Sequence, residues 1–237
     1  MLALWQACFT ANVEEVRSAI DRGEDVNGKG GTFNATCLMT AVNKGAEGIV
    51  ELLLQQPSCD LSVQDSYGFT ALHYACDHGL PGIVRRLATH PRQGSLDSRS
   101  NGGWTALMKA AAKGREECVR ELLRIPVLDV NLKNHQEKTA LMLAVEVDSV
   151  ECVRELVTAH RVDLQTMDGQ GKTLQDVARL FRPLGKECLL FPCRQRGNSE
   201  VMRLVIPQAS LPHLSVCPVC HNSLHGLPGG RRVVSTA

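Results

Sequence analysis

Apolar residues in this chain form pairs of short helical stripes that recur along the sequence. In one copy, Leu72, Ala75 and Cys76 stand at positions i, i+3 and i+4, which predicts a helix with one buried face. Gly79 interrupts the pattern, and a second stripe begins at Ile83. Two helices this short cannot bury enough apolar surface alone, so the pattern predicts that several such pairs stack on one another.

A threonine motif marks the start of each copy. Successive motif threonines are 34, 35, 34 and 34 residues apart, and each is followed by a small residue and leucine, or by leucine directly in the last copy. Threonine is a favoured cap for the first turn of a helix. The chain is therefore predicted to contain about five helix pairs and one degenerate helix. The pairs open at Leu4, Thr36, Thr70, Thr105 and Thr139, and the degenerate helix opens at Thr173.

Turn residues precede the motif, as in Asp65-Ser66-Tyr67-Gly68 before Thr70. This combination resembles the ankyrin repeat, whose consensus runs Asp-x-x-Gly-x-Thr-Pro-Leu-His-x-Ala-Ala. The resemblance implies an all-α ankyrin-repeat solenoid with a degenerate C-terminal cap over residues 1–180. Beyond these residues the repeat pattern stops and Pro, Gly, Ser and Arg become frequent, which predicts a flexible, irregular tail over residues 181–237. The ankyrin resemblance also implies a protein-binding function and no enzymatic activity. The motif histidine, here His73, would bond turn backbone rather than act as a general base.

The fifth copy departs from this consensus at two positions. Glu137 stands where the turn glycine belongs, and Asp148 stands where the glycine between the two helices belongs. Both positions favour a left-handed backbone, which is unfavourable for a residue with a Cβ atom. In the last copy, Gln175 replaces the buried leucine. We therefore expect the C-terminal end of the array to be its least stable part.

Composition and charge narrow the range of functions. The 26 basic and 25 acidic residues give a net charge of +1, which provides no electrostatic case for a nucleic-acid partner. The sequence contains no apolar run that would span a membrane, and its first residues lack the pattern of a secretory signal. The ten cysteines are scattered, and Cys8 and Cys76 share one repeat position, which favours small core residues over disulfides. We expect a protein of a reducing, intracellular compartment, cytoplasmic or nuclear.

Stacked repeats align their turn tips and the exposed sides of their first helices into one concave surface, on which we expect a protein partner to bind. Tyr67 and Trp104 are the leading candidates on this surface, because aromatic residues are enriched among binding hot spots. A purely structural role for Trp104, packed on the next turn, is equally compatible with the sequence. The full candidate set is Ser66, Tyr67, Phe69, Asp77, His78, Asn101, Trp104, Lys113, His135, Gln136, Lys138 and Glu146.

The last quarter of the chain contains the segment Cys217-Pro218-Val219-Cys220. A Cys-x-x-Cys segment supplies two thiolates, which is half of a tetrahedral zinc site. The remaining two ligands would have to come from elsewhere. Nearby candidates, none of which has the spacing of the usual zinc fingers, are His213, His221, His225, Cys188 and Cys193.

Residues 217–237 also resemble the opening of a RING finger. In that family the stretch continues into Cys-Gly-His, so Cys217 and Cys220 would be the first two metal ligands of an incomplete site. The resemblance implies no cofactor in this chain, zinc if the RING were complete, and an E2 enzyme as a partner only with a full RING. Ankyrin repeats joined to a RING imply the substrate-recognition part of a ubiquitin ligase. The alternative is a stand-alone ankyrin adaptor or scaffold with a disordered tail.

Overall fold

The computed structural model describes residues 3–159, 161–174 and 176–177. Within these residues the fold is all-α with ten helices in five pairs, as the sequence predicts, and it also contains a short two-stranded hairpin that the sequence did not predict. The first helices of the pairs are α1 (Ala3–Thr10), α3 (Cys37–Asn43), α5 (Ala71–His78), α7 (Ala106–Ala112) and α9 (Ala140–Glu146). The second helices are α2 (Val13–Asp21), α4 (Glu47–Gln55), α6 (Pro81–Ala88), α8 (Glu116–Leu123) and α10 (Val150–Thr158), and the strands are β1 (Lys29–Gly30) and β2 (Ala35–Thr36).

The motif threonines cap the first helices, which confirms the helix starts expected from the sequence. The Thr36 hydroxyl accepts a hydrogen bond from the Met39 backbone N–H at 3.2 Å, and this satisfies one of the unpaired donors at the start of α3. The same bond starts α7 and α9, from Met108 to Thr105 at 3.3 Å and from Met142 to Thr139 at 3.4 Å. A local side chain–backbone bond therefore fixes where each of these helices begins.

The turns before the motif threonines project from the helices, and we call them fingers; they comprise residues 28–35, 65–69, 100–104, 134–138 and 168–172. Each finger is bonded to the preceding one through its backbone. The Ser66 N–H donates to the Phe33 carbonyl at 2.9 Å, and the Asn101 N–H donates to the Tyr67 carbonyl at 2.9 Å. These bonds hold the finger tips in a fixed row. The later fingers are joined in the same way. The His135 N–H donates to the Gly102 carbonyl at 3.1 Å, and the Gly169 N–H donates to the Gln136 carbonyl at 3.2 Å.

Two layers of helices form the stack. First helices pack against first helices from α1 to α9, and on the other side α2 packs on α4, α6 on α8 and α8 on α10. One buried position of every first helix is alanine, whereas the second helices bury branched side chains such as Ile83 and Val119. Smaller side chains allow a closer approach, which favours curvature toward the first helices. The five alanines are Ala7, Ala41, Ala75, Ala110 and Ala144.

The departures in the fifth repeat have the predicted backbone consequence. Glu137 has φ +58° and Asp148 has φ +54°, both in the left-handed region. The equivalent finger residue in the third repeat is Gly68 (φ +78°), and the equivalent residue between helices is Gly79 (φ +70°). The third and fourth repeats have glycine at both positions, whereas the fifth repeat has a side chain at both. Ala11 (φ +54°) and Asn34 (φ +52°) are single departures of the same kind in the first and second repeats. Gln175, the third departure, lies outside the described residues.

Candidate functional site

The concave surface consists of the exposed side chains of the fingers and of the first helices with their C-terminal caps; we call it the finger-and-first-helix surface. Two exposed aromatic rings stand next to each other at the tips of adjacent fingers. Tyr67 is 51% exposed and Phe33 is 47% exposed, and their ring centroids lie 5.2 Å apart. Aromatic residues exposed as a contiguous pair mark interaction sites more often than isolated ones do.

Phe33 is absent from the candidates named from the sequence. It stands three residues before Thr36, as Tyr67 stands three residues before Thr70, so the repeat register places both at the same point of adjacent fingers. Counting back from the motif threonine would have identified it. The first finger contains the β1–β2 hairpin, and its extra residues, including Gly31, obscured that correspondence.

Phe69 and Trp104 are half-buried behind the exposed pair. The Lys109 ammonium lies 4.4 Å from the centroid of the Phe69 ring and 5.6 Å from that of Trp104. An ammonium over aromatic faces is held by cation–π attraction. Both rings therefore support the surface from beneath, and Lys109, which was not among the sequence candidates, connects them.

The Trp104 backbone joins two repeats through His73. The His73 Nε2 atom lies 2.9 Å from the Trp104 carbonyl oxygen, and its Nδ1 atom accepts the Thr70 N–H at 3.1 Å. Nδ1 is then an acceptor, so Nε2 carries the proton and donates it to Trp104. Burial lowers the pKa of His73 to about 4, which keeps the ring neutral. These bonds confirm a structural role for His73.

Several other candidates are engaged within the protein itself. Asp77 lies 3.5 Å from the Lys109 ammonium, and the His78 Nε2 atom lies 2.7 Å from the Asn43 side-chain oxygen. The Asn101 side-chain amide donates to the Ser66 carbonyl at 3.0 Å, so it ties two fingers together. The Lys113 side chain is exposed at the end of α7, with no hydrogen bond or ion pair to any described residue.

The C-terminal candidates line one groove. Its volume is about 510 Å³, and it lies between the fourth and fifth fingers. The Lys138 ammonium and the Glu146 carboxylate meet across it at 2.5 Å. The sequence candidates His135, Gln136, Lys138 and Glu146 are brought together here with Asp168, Gly169, Gln170, Lys172 and Val177.

Two further features of the described residues bear on function. None of their helices is long and apolar enough to cross a membrane. Cys8, Cys37, Cys59, Cys76, Cys118 and Cys152 are buried free thiols, which agrees with their expected role as core residues. Cys217 and Cys220, the half-site for zinc, lie outside the described residues.

Comparison with known proteins agrees with the repeat architecture. Delta-latroinsectotoxin-Lt1a of Latrodectus tredecimguttatus is 30% identical over 91 residues, which are 37% of this chain and 8% of the toxin. Palmitoyltransferase AKR1 of Lachancea kluyveri is 35% identical over 120 residues, 50% of this chain and 16% of that protein. This chain therefore matches only a small part of the length of either relative.

A solved structure and a family match identify the fold. EF0377, an ankyrin repeat protein, aligns with a TM-score of 0.72 at 22% identity, over 86% of this chain and 96% of its own. That similarity shows the fold alone. The family described as ankyrin repeats, in three copies, matches residues 4–95 and 92–168, which together span more than half of the chain. This chain belongs to the ankyrin-repeat family.

Proposed function

We propose that this chain is a protein-binding module whose partner docks on the finger-and-first-helix surface, with Phe33 and Tyr67 as its anchor. The observation that carries the proposal is the exposed aromatic pair on two fingers that are bonded to each other. The Ser66 N–H donates to the Phe33 carbonyl at 2.9 Å, so the backbones that carry the two rings are held together before a partner binds. Rigid aromatic side chains are the commonest hot spots of protein interfaces.

A photoreactive residue tests where the partner docks. We expect p-benzoylphenylalanine at position 33 to crosslink a specific protein, and the same residue at position 127 to crosslink none. Val127 is the matched control, since it is 80% exposed but lies in the loop after α8, away from the fingers. Equal crosslinking from both positions would remove the proposed site.

Alanine variants then measure the contribution of the candidate hot spots. Replacement of Phe33 and Tyr67 together by alanine should lower the affinity for the crosslinked partner at least about a hundredfold, because each hot-spot truncation costs about 2 kcal/mol or more. Circular dichroism of the double variant should show the helical content unchanged. Val127→Ala should bind like the parent chain, and unchanged affinity of the double variant would place the interface elsewhere.

From the sequence of residues 217–237 we propose a more specific role, in which this module selects the substrate of a ubiquitin ligase. The stretch resembles the opening of a RING finger, with Cys217 and Cys220 as the first two zinc ligands. In that role the repeats would select the substrate of a ubiquitin ligase and the RING would recruit the E2 enzyme. The transcript beyond the codon for Ala237 tests this: Cys-Gly-His in frame supports the role, and any other continuation contradicts it.

The alternative role is that of a stand-alone ankyrin adaptor or scaffold. It requires only the finger-and-first-helix surface and gives residues 181–237 no part in catalysis. Ubiquitination of the crosslinked partner separates the two roles. Partner ubiquitin levels that fall when the gene is deleted favour the ligase, and unchanged levels favour the adaptor.

A further inference from the structure

Lysine and arginine are segregated between the two sides of the repeat stack. Six of the seven lysines within the described residues lie on a finger or on a first helix with its cap, and Lys133 lies directly before the fourth finger. None lies on a second helix, whereas four of the five second helices contain arginine. The two side chains differ physically, because arginine suits fixed ion pairs and lysine is a mobile, strongly hydrated charge. The seven lysines are Lys29, Lys44, Lys109, Lys113, Lys133, Lys138 and Lys172.

Three arginines of the second helices, Arg85, Arg86 and Arg120, form ion pairs between repeats. Arg120 pairs with Glu155 of the next repeat at 2.8 Å, and Arg85 pairs with Glu121 at 2.8 Å. Their charges are therefore neutralised within the protein. These pairs account for three of the arginines on that side without any partner.

Most lysines of the finger-and-first-helix surface are not neutralised in this way. Lys109, Lys133 and Lys138 each have a carboxylate within 4 Å. Lys44 instead lies 4.2 Å from the centroid of the Phe9 ring. Among the described residues, no carboxylate lies within ion-pair distance of Lys29, Lys44, Lys113 or Lys172.

Other causes explain only part of this positive charge. Lys44 and Lys113 cap α3 and α7, where a cation complements the partial negative charge of a helix end. That effect does not apply to Lys29 and Lys172, which lie on fingers. Buried carboxylates in the turns, Asp65 among them, offset some of the charge, but their oxygens are occupied by N–H and O–H groups of the protein. The surface therefore offers cations without ion pairs together with exposed aromatic rings, and one of these cations, Lys44, lies against the Phe9 ring.

The tail of this chain is a poor match for such a surface. Residues 181–237 contain seven Lys and Arg residues against two Glu and no Asp. Like charges would repel it from the unpaired lysines. A nucleic acid is disfavoured by the carboxylates Asp77 and Glu146 in the same surface and by the net charge of +1.

We propose that the partner presents an acidic segment to this surface, with Asp and Glu residues flanking an aromatic or large aliphatic side chain. The apolar side chain packs on Phe33 and Tyr67, and the carboxylates face Lys113, the cation at the end of α7 that has no ion pair to any described residue. Charge complementarity of this kind determines partner choice and association rate. The inference rests on the proposed function, since it concerns the partner of the same surface.

A peptide library tests the proposal without knowledge of the natural partner. The probe is a library of random 16-residue peptides displayed on phage and selected on the immobilised full chain. Selected peptides should be enriched in Asp and Glu around an aromatic or aliphatic residue. Lys113→Glu should weaken their binding roughly tenfold at low salt, and added salt should reduce the difference. The control is Arg17→Glu, an exposed cation of α2 without an ion pair to any described residue, which should bind like the parent.

The outcomes separate this inference from the proposed function. Neutral or basic peptides whose binding is lost in Tyr67→Ala would overturn the acidic partner and leave the docking site standing. Acidic peptides that are indifferent to Tyr67→Ala but sensitive to Lys113→Glu would support the acidic partner and displace the aromatic anchor. Three results overturn the inference: no selected peptides, selected peptides indifferent to Lys113→Glu, or oligouridylate binding that is lost in Lys113→Glu.

Discussion

Arg92 and Arg161 perform the same structural task two repeats apart. Each guanidinium reaches back to the preceding repeat and donates to four backbone carbonyls at and beyond the end of a second helix. Carbonyls at a helix C-terminus lack partners within the helix, and a cation there also complements the helix dipole. The acceptors are Leu54, Gln56, Pro57 and Cys59 for Arg92, and Leu123, Ile125, Pro126 and Leu128 for Arg161.

Loss of either arginine should destabilise the stack. Arg161→Ala leaves partly buried carbonyls unsatisfied, and we expect the free energy of unfolding to fall by about 2–3 kcal/mol. Arg161→Lys should retain only part of the lost free energy of unfolding, because an ammonium cannot reproduce the hydrogen-bond geometry of the planar guanidinium. Urea unfolding followed by circular dichroism measures both variants. Arg17→Ala, a surface control, should change stability by less than about 0.5 kcal/mol, and an equally small effect of Arg161→Ala would contradict the assigned role.

His73 should make the stability of the protein sensitive to acid. Burial lowers its pKa to about 4 in the folded state, whereas the unfolded value is about 6.5. The unfolded chain therefore takes up the proton first, and stability present at neutral pH is lost as the pH falls from about 6.5 toward 4. By linkage the loss amounts to about 3 kcal/mol at pH 4.

Methionine at this position provides the matched variant. Met39 and Met108 occupy the same place in the second and fourth repeats, and each sulfur accepts the N–H of its motif threonine. His73→Met should therefore fold and lose less stability than the parent between pH 6.5 and 4. His78→Gln, a change at an exposed histidine of the same helix, is the control. Parallel losses in the parent and in His73→Met would show that other groups cause the acid sensitivity.

The sequence predicted contacts within a repeat better than contacts between repeats. The period of the motif located the caps of α3, α5, α7 and α9, because capping is local. The period of the motif did not reveal the ion-pair partner of Arg120. Glu116 stands four residues before Arg120, a spacing that suggests a pair within the helix, but Arg120 bonds Glu155 of the next repeat at 2.8 Å. Contacts across repeats depend on how neighbouring helices are shifted relative to each other. The residue spacing within one helix gives no information about that shift.

The candidate site shows the same division. Tyr67 was predicted to be exposed because it stands at a turn tip, and it is. Its neighbour Phe33 was missed, since the longer first finger hides the register. The packing of Lys109 between Phe69 and Trp104 also joins residues of different repeats. Individual finger residues could be identified from the sequence, but their grouping into an aromatic and cationic surface required the structure.

Glycine at the two strained positions of the fifth repeat should stabilise the protein. Glu137 and Asp148 have φ near +55°, a conformation unfavourable by about 1–2 kcal/mol for residues other than glycine. Asp148 has one buried carboxylate oxygen without a hydrogen-bond partner among the described residues, and burial raises its pKa. Glu137→Gly and Asp148→Gly should each increase the free energy of unfolding by about 1 kcal/mol at pH 7.

The reverse substitution isolates the backbone effect. Gly45 has φ +65°, and an added Cβ would meet no atom within 4 Å. Gly45→Ala should therefore destabilise by about 1 kcal/mol through backbone strain alone. Asp148→Gly should raise the free energy of unfolding less at pH 3 than at pH 7. At pH 3 the Asp148 carboxyl of the parent is protonated, so the glycine variant no longer removes a buried charge. No gain from either glycine variant would show that the fifth repeat accommodates these conformations without strain.

The same features predict the order in which the repeats open. The fifth repeat has a side chain at both of its left-handed positions, Glu137 and Asp148, and its neighbour on the C-terminal side is the degenerate copy that opens at Thr173. In repeat arrays each unit is stabilised mainly by its neighbours, so a strained unit beside a degenerate one opens at lower free energy than the interior. Native-state hydrogen exchange should show amides of α9 and α10 exchanging faster than those of α5 to α8. In the double variant Glu137→Gly/Asp148→Gly, protection of α9 and α10 should rise while that of α5 and α6 stays constant. If α9 and α10 are the best protected helices of the parent chain, the predicted order of opening is wrong.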